Sequence, residues 1–211
     1  MAVASRPIRV LCVDDHRLMR EGVARIVGVQ PDMVVVAEAS NGEQAVTQFL
    51  ASRPDVTLMD LQLPVMSGPE ATRRIRELDP SARIIVLTMY HGDEDIHRAF
   101  EAGAMGYLLK DTISDDLIHA IREAHAGRRV LTSEIQQALD ERARLPILSL
   151  RERQVLELMA EGMRNKEIAA ALGISLDTAG MHMRHVFTKL GVHDRTAAVA
   201  KAIRRGIIHI Q

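Results

Sequence analysis

The sequence predicts an α/β protein in which a five-stranded, doubly wound parallel sheet is followed by an all-α domain of four helices. Two observations predict this class. Residues 8–126 alternate apolar, β-branched segments with amphipathic segments five times, a pattern typical of parallel strands covered by helices on both faces. From residue 148 onward the apolar residues recur with helical spacing instead.

The strands of the first domain are predicted at residues 8–13, 33–39, 56–60, 83–89 and 106–110. Helices are predicted near 16–28, 42–52, 67–78, 92–102 and 114–126, several of them opened by Asn, Ser or Asp and closed by Gly or Pro. Right-handed crossovers most simply give the strand order 2-1-3-4-5. Strands 1, 3, 4 and 5 are then neighbours.

The second half of the chain is predicted to be helical. We expect a first domain at residues 1–127, a charged linker at 128–146 with one short helix at about 133–143, and a second domain at 147–211. Helices are expected at 149–161, 165–172, 176–190 and 195–205, the first opened by a capping-box pattern. Two short helices joined by a tight glycine-containing turn form a helix-turn-helix unit.

Composition narrows the class of partner. Residues 1–146 carry 17 Lys and Arg against 22 Asp and Glu, a net charge of −5, whereas residues 147–211 carry 10 against 6, a net charge of +4. A basic C-terminal part favours a polyanion as its partner. With two Tyr, three Phe and no Trp, the chain has few rings to stack on unpaired bases, which favours double-stranded DNA.

The distribution of apolar residues predicts a cytoplasmic protein without membrane contact. No apolar stretch approaches the roughly 20 residues that span a bilayer, and the N-terminus lacks the apolar core of a secretion signal. The single Cys12 lies inside an apolar strand, where it is expected to be a small buried hydrophobe.

Polar side chains end four of the predicted strands. Asp14 and Asp15 follow the first, Asp60 ends the third, Thr88 lies at the end of the fourth, and Lys110 ends the fifth. Lys110 is the only lysine among the first 146 residues, which hold sixteen arginines. Carboxylates gathered at the carboxyl edge of a parallel sheet suit Mg²⁺, and a lone ammonium suits a phosphoryl group. Asp60 is the expected nucleophile; the alternative is that these residues cap the following helices.

Residues 8–126 resemble the receiver domain of response regulators. The resemblance is carried by the Asp14–Asp15 pair, the MDLQLPVMSG stretch around Asp60, Thr88, and Tyr107 three residues before Lys110. It implies that a sensor histidine kinase phosphorylates Asp60, and that Asp15, Asp60 and the backbone carbonyl of Gln62 bind Mg²⁺ with the assistance of Asp14. It also implies a switch in which Thr88 moves towards the phosphate and Tyr107 turns inward. Phosphorylation from a phosphodonor and autodephosphorylation are the only turnover expected.

Residues 148–211 resemble the helix-turn-helix domain of the NarL/FixJ class, also called LuxR-type. The matching segments start at Leu150, Asn165, Leu172, Lys189 and Arg195. The resemblance implies that helix 176–190 enters the major groove of DNA, and that the last helix is a candidate surface for a homodimer formed on activation. The candidate base contacts are Met181, His182, Arg184, His185 and Thr188, and the candidate phosphate contacts are Lys166, Lys189, Arg195 and Lys201.

Two departures from the family pattern bear most on DNA binding. Gly180 stands where the family commonly has a lysine in the recognition helix, and Arg164 replaces the usual Ser or Thr, so that Asn165 is expected to cap the short helix. The leading interpretation is a transcription factor gated by phosphorylation. A phosphorylation-dependent protein-interaction regulator with weakened DNA binding is the alternative that Gly180 supports.

Other function classes are disfavoured. A flavodoxin-like carrier of flavin needs a phosphate-binding loop after the first strand, where this chain has Asp14-Asp-His-Arg-Leu. A metabolic phosphatase needs a substrate cap, yet every connection here is short. His182, His185 and His193 have no spacing typical of a zinc site.

Overall fold

A computed structural model describes residues 6–111 and 114–209 of the 211-residue chain. The strands are β1 Ile8–Val13, β2 Met33–Ala39, β3 Val56–Met59, β4 Ile84–Thr88 and β5 Gly106–Leu109. The helices are α1 Arg17–Gly28, α2 Gly42–Ser52, α3 Gly68–Leu78, α4 Asp93–Glu101, α5 Ser114–His125, α6 Ser133–Arg142, α7 Leu150–Ala160, α8 Asn165–Leu172, α9 Leu176–Leu190 and α10 Arg195–Arg204.

The five strands form one sheet of order β2-β1-β3-β4-β5, and every pair in it is parallel. The predicted fold class is therefore confirmed. Three strands are shorter than predicted: β3 ends at Met59 rather than at 60, β4 ends at Thr88 rather than at 89, and β5 ends at Leu109 rather than at 110. Asp60 and Lys110 consequently lie in the connections just beyond the sheet.

The described residues divide into two compact units. One comprises residues 6–90 and 96–136, and the other comprises 91–95 and 137–209. None of the described helices is both long enough and apolar enough to cross a membrane.

The sheet of the first unit is buried on both faces. On one face, Val10 and Cys12 of β1 pack with α1 and α5, and on the other, Leu11 and Val13 pack with α2 and α3. Successive side chains of a strand point to opposite faces, so an uninterrupted apolar run is required for such a strand. These two layers hold the strands rigidly, and they fix the positions of the residues that follow each strand.

The chain returns to the edge of the sheet after α5. Val130 forms a parallel bridge with Gly106: its amide donates to the carbonyl of Met105 at 3.0 Å, and its carbonyl accepts from the amide of Tyr107 at 3.4 Å. A Cβ at position 106 would lie 2.8 Å from the Cβ of Val130. Glycine at this position therefore allows the close approach.

The second unit contains the four helices α7 to α10, packed around one apolar core that includes Leu156, Ile168, Val186 and Ala198. Ser149 caps α7 with a complete capping box, as predicted from the pattern with Glu152.

The N-terminus of α8 differs from the prediction. The expectation that Asn165 caps this helix is wrong, because Arg164 occupies the N-cap position and Asn165 is already helical. The Arg164 side chain makes no cap bond. Instead, the Glu167 carboxylate accepts the Arg164 backbone N–H at 2.6 Å, so only the reverse half of a capping box stabilises this end.

Candidate functional site

Lys110 connects two carboxylates at the carboxyl edge of the sheet. Its Nζ lies 2.7 Å from Oδ2 of Asp14 and 2.7 Å from Oδ2 of Asp60. All three side chains are only 5% exposed. Three of the residues predicted from the strand ends are thus brought into direct contact.

Backbone hydrogen bonds beyond the strands position these side chains. The amide of Asp14 donates to the carbonyl of Ala39 at 3.1 Å, that of Asp60 donates to Val13 at 2.9 Å, and that of Lys110 donates to Thr88 at 2.8 Å. Each functional residue is therefore held by the neighbouring strand or its continuation. The side chain of Asp60 is oriented further, because its Oδ1 accepts the amide N–H of Leu61 at 2.7 Å.

The charges of the buried side chains Asp14, Asp60 and Lys110 do not cancel. Burial raises the pKa of Asp60 above its ordinary value, and the hydrogen bond and charge of Lys110 offset this only in part. Burial also acts to lower the pKa of Lys110, but its hydrogen bonds to Asp14 and Asp60 outweigh burial and raise that pKa. Lys110 is therefore firmly cationic, and one positive charge serves two buried carboxylates.

Asp15 and His16 complete a group that also includes Asp14 and Asp60. One ligand atom from each of these four residues lies within 4.8 Å of the others. Nδ1 of His16 lies 2.7 Å from Oδ1 of Asp15 and 3.4 Å from Oδ1 of Asp14. Sequence reasoning did not single out His16, although its place directly after the two aspartates was the available signal.

Thr88 and Tyr107 share one backbone partner. The amide of Tyr90 donates to Oγ1 of Thr88 at 3.4 Å, and the Tyr90 carbonyl accepts from the Tyr107 hydroxyl at 2.7 Å. Thr88 and Tyr107 are both fully buried, so the Tyr107 ring points inward in this structure.

The loop between Asp60 and α3 is tightly shaped. Val65 has a left-handed backbone with φ of 69°, which is unusual for a β-branched residue, and the amide of Gly68 donates to the carbonyl of Leu61 at 2.9 Å. Gln62 lies in this loop with an exposed side chain. A Cβ at Gly68 would lie 1.9 Å from the carbonyl oxygen of Asp60, so α3 starts directly against the backbone of the site.

Helix α9 has one solvent-exposed face. Met181, Arg184, His185 and Thr188 are exposed at helical spacing, whereas Ala179, Met183, Val186 and Leu190 are buried in the core of the unit. Four of the five predicted base-contacting residues therefore share a single accessible face.

The fifth residue, His182, does not share that face. It is half-buried, and its Nδ1 is buried without a hydrogen-bond partner among the described residues.

The predicted phosphate contacts differ in their surroundings. Lys189 donates to Glu152 at 2.6 Å and to the carbonyl of Ile147 at 3.0 Å, and a terminal nitrogen of Arg195 donates to the carbonyl of Met159 at 2.6 Å. Burial acts to raise the pKa of Glu152, but the hydrogen bonds from Lys189 and Ser149 and the charge of Lys189 together outweigh burial and lower that pKa. Lys189 and Arg195 are thus occupied within the fold.

The two remaining basic candidates are less constrained. Lys166 is exposed on α8, and Lys201 is half-buried on α10.

Comparison with known proteins identifies both parts of the chain. Residues 10–122 match the response regulator receiver domain family, and residues 146–202 match the bacterial regulatory proteins of the luxR family. The chain is a two-component response regulator of the NarL/LuxR family. The resemblance inferred from the sequence is confirmed.

Full-length relatives support this assignment. The response regulator is 37% identical over 201 residues to the nitrate/nitrite response regulator protein NarL of Escherichia coli K12, covering 91% of this chain and 93% of NarL. It is 36% identical over 207 residues to the response regulator protein VraR of Staphylococcus saprophyticus, covering 96% and 99%.

Solved structures agree with these relatives. The response regulator ChrA of a heme-sensing two-component system is 38% identical, with a TM-score of 0.58, and the match covers 97% of this chain and 100% of ChrA. The response regulator RcsB, solved in complex with DNA, is 25% identical with a TM-score of 0.67, covering 94% and 99%.

Proposed function

We propose that this response regulator is phosphorylated on Asp60 by a sensor histidine kinase, and that phosphorylation promotes dimerisation and binding to double-stranded DNA. We assign phosphorylation to residues 1–127 and DNA binding to residues 147–211, joined by a linker at 128–146. The observation that carries the proposal is the contact of Lys110 with both Asp14 and Asp60 at the carboxyl edge of the sheet.

The side chains around Asp60 suit phosphoryl transfer. Its Oδ1 is held by the amide of Leu61, which leaves Oδ2 on the side of Lys110 as the attacking atom. A bond forms between this oxygen and phosphorus while the phosphorus–nitrogen bond to the kinase histidine breaks. The Lys110 ammonium and the Thr88 hydroxyl would donate to the transferred phosphoryl oxygens.

The donor set also suits a hard divalent cation. Asp14, Asp15 and Asp60 supply carboxylate oxygens within a small space, and Lys110 neutralises only part of their charge. We propose that these carboxylates and the backbone carbonyl of Gln62 hold Mg²⁺, the oxygen-preferring ion expected at such a site. When bound, the ion would supply positive charge to the phosphoryl oxygens.

Phosphorylation would reach Tyr107 through Tyr90. Because the Tyr90 amide bonds Thr88 and the Tyr90 carbonyl bonds Tyr107, a movement of Thr88 towards a new phosphate disturbs the backbone that holds the Tyr107 hydroxyl. We therefore propose Thr88 and Tyr107 as the switch residues.

We propose the exposed face of α9 as the DNA-reading surface. Arg184 can donate two hydrogen bonds to guanine, and Met181, His185 and Thr188 lie on the same face. Lys166 is the freest of the proposed phosphate contacts. To contact DNA phosphates, Lys189 and Arg195 would have to give up the hydrogen bonds that they donate within the fold. His182 is half-buried and would act by orienting α9.

Labelling with a small phosphodonor tests the phosphorylation site. Acetyl phosphate with Mg²⁺ should add one phosphoryl group to the wild-type chain, as measured by intact-protein mass spectrometry, and none to Asp60→Asn. Asp116→Asn is the matched control, because Asp116 is an exposed aspartate of α5. Equal labelling of Asp60→Asn would contradict the assignment of Asp60.

Selection of genomic DNA fragments tests the proposed DNA binding and its dependence on phosphorylation. Fragments retained by the purified protein should be enriched in a few palindromic sites, and the enrichment should grow when Mg²⁺ and beryllofluoride mimic the phosphoryl group. Retention should fall steeply with salt, because phosphate contacts release counterions.

Gly180 supports a second candidate function, a phosphorylation-dependent regulator that acts through protein contacts. Glycine has no side chain, so position 180 supplies no cation to the proposed DNA-reading surface. Among the described residues outside the backbone of α9, an added Cβ would meet a terminal nitrogen of Arg184 at 3.7 Å. Absence of enriched fragments in either state of the protein would favour this candidate. Gly180→Lys should then restore salt-dependent duplex binding.

A further inference from the structure

A cavity of about 430 Å³ lies in the first unit, at the amino ends of β4 and β5. Its lining includes Arg76, Arg83, Arg129, Phe100 and Gly103. The strands are parallel, and the Asp60 site lies at their carboxyl ends. The cavity is therefore at the opposite edge of the sheet and shares no residue with that site.

Two of the three arginines are held in place by the fold. A terminal nitrogen of Arg76 donates to the carbonyl of Ala82 at 3.0 Å. The stem of Arg76 passes close to Gly103, where a Cβ would lie 3.0 Å from Cγ and 3.1 Å from Nε of that arginine. The guanidinium of Arg129 lies over the ring of Phe100, 5.2 Å from its centroid. These contacts reduce the conformational entropy that a ligand would otherwise have to overcome.

No carboxylate neutralises this group. Among the ion pairs of the described residues, none involves Arg76, Arg83 or Arg129, although other arginines of the same unit, such as Arg122 and Arg128, are paired. Asp79 is close enough to Arg76 for the two charges to interact weakly. Its pKa is lowered, first by hydrogen bonds from Ser81 and in smaller part by the charge of Arg76.

Charge and size together define the ligand. Guanidinium groups match the oxygen geometry of phosphates, and three of them facing one space favour more than one anionic group. A volume of about 430 Å³ is that of a small-molecule site and exceeds what one inorganic anion fills. The face of Phe100 is already occupied by Arg129, so recognition would depend on phosphate contacts rather than on stacking.

We propose that this cavity binds a compact small molecule carrying two or more phosphoryl groups. The ligand would connect three parts of the first unit. Arg76 belongs to α3, Arg83 directly precedes β4, and Arg129 lies in the segment after α5. Nucleotides and sugar bisphosphates share this chemistry, and the test distinguishes them.

The test is isothermal titration calorimetry of the full-length chain in a buffer that contains EDTA. EDTA chelates divalent ions and so prevents the proposed Mg²⁺-dependent chemistry at Asp60. Pyrophosphate, ADP and fructose 1,6-bisphosphate are titrated separately. We expect saturable binding at one site per chain for at least one of them, retained in Asp60→Asn. Arg83→Gln and Arg129→Gln should each weaken it by about tenfold, the effect of losing one charge-assisted hydrogen bond.

Arg128→Gln is the matched control. Arg128 is the neighbour of Arg129 in the sequence, is exposed, is paired with Glu123 and does not line the cavity. An unchanged affinity for this variant would support the site, whereas equal weakening by Arg128→Gln would show general charge attraction and overturn the proposal. Absence of saturable binding for all three ligands, or preferential binding of a polyglutamate peptide, would overturn it as well.

Discussion

Substitution of Gly68 by alanine should destabilise the first unit. Gly68 is the buried first residue of α3, and a Cβ there would lie 1.9 Å from the carbonyl oxygen of Asp60 and 2.9 Å from Cα of Leu61. Both contacts are with backbone atoms rather than with the end of a flexible side chain. The start of α3 or the loop after Asp60 must therefore move to admit the methyl group.

The size of the effect follows from two opposing contributions. Inserting a carbon into a close-packed region costs about 1–3 kcal/mol. Alanine in place of glycine within a helix favours folding by roughly 0.5–1 kcal/mol, and by less at a helix end. We therefore expect a net loss of about 1–2 kcal/mol in the free energy of unfolding. Gly22→Ala is the control, because Gly22 lies inside α1 and no described atom outside the backbone of that helix lies within 4 Å of an added Cβ, so only the favourable contribution applies.

Urea denaturation followed by tyrosine fluorescence measures this difference directly. The chain has two tyrosines, Tyr90 and Tyr107, and both belong to the first unit, so the signal reports that unit alone. The midpoint should fall for Gly68→Ala and rise for Gly22→Ala. Equal or greater stability of Gly68→Ala would refute the close contact between α3 and the backbone of Asp60.

Three further predictions concern the buried side chains of Asp60 and Cys12 and the uncrowded surroundings of Gly180. Because burial raises the pKa of Asp60 above 3.8, its ionisation destabilises the folded state as pH rises through the folded pKa. Asp60→Asn should therefore raise the urea midpoint at pH 7, and this advantage should disappear below about pH 3.8. Burial raises the pKa of Cys12 to about 12, so iodoacetamide at pH 8 should modify it only after unfolding, as measured by mass spectrometry. Gly180→Ala should stabilise the second unit by up to about 1 kcal/mol in thermal unfolding followed by helical circular dichroism, and a lower midpoint would contradict the open surroundings of Gly180.

Much of the fold was predictable because a parallel sheet requires a distinctive pattern. The apolar run Val10–Val13 of β1 has no other simple explanation in a chain that alternates strands and helices. The polar residues at strand ends were predictable for the same reason, since the sheet brings its carboxyl ends together. The contact of Lys110 with Asp14 and Asp60 follows directly from that topology.

The features that escaped prediction depend on single residues or on tertiary contacts. The bridge of Val130 to Gly106 involves one residue and so has no periodicity. Arg164 was overlooked as an N-cap because its side chain offers no cap bond, and the backbone bond to Glu167 depends on local geometry. The arginine cavity combines residues of α3, of the segment before β4, of α4 and of the segment after α5, whose proximity cannot be read from spacing.

The raised pKa of Asp60 connects the stability of the fold with its chemistry. A second cation, such as the proposed Mg²⁺, would offset the imbalance that Lys110 leaves between two buried carboxylates, so its binding at this edge would stabilise the folded state. The burial that raises this pKa also keeps Asp60 desolvated, and a desolvated carboxylate is a stronger nucleophile than a hydrated one once it is ionised. An asparagine at position 60 would relieve the imbalance and raise stability, but it would remove both the proposed cation ligand and the proposed attacking oxygen. The instability at Asp60 is thus a direct consequence of the arrangement that we propose for phosphoryl transfer.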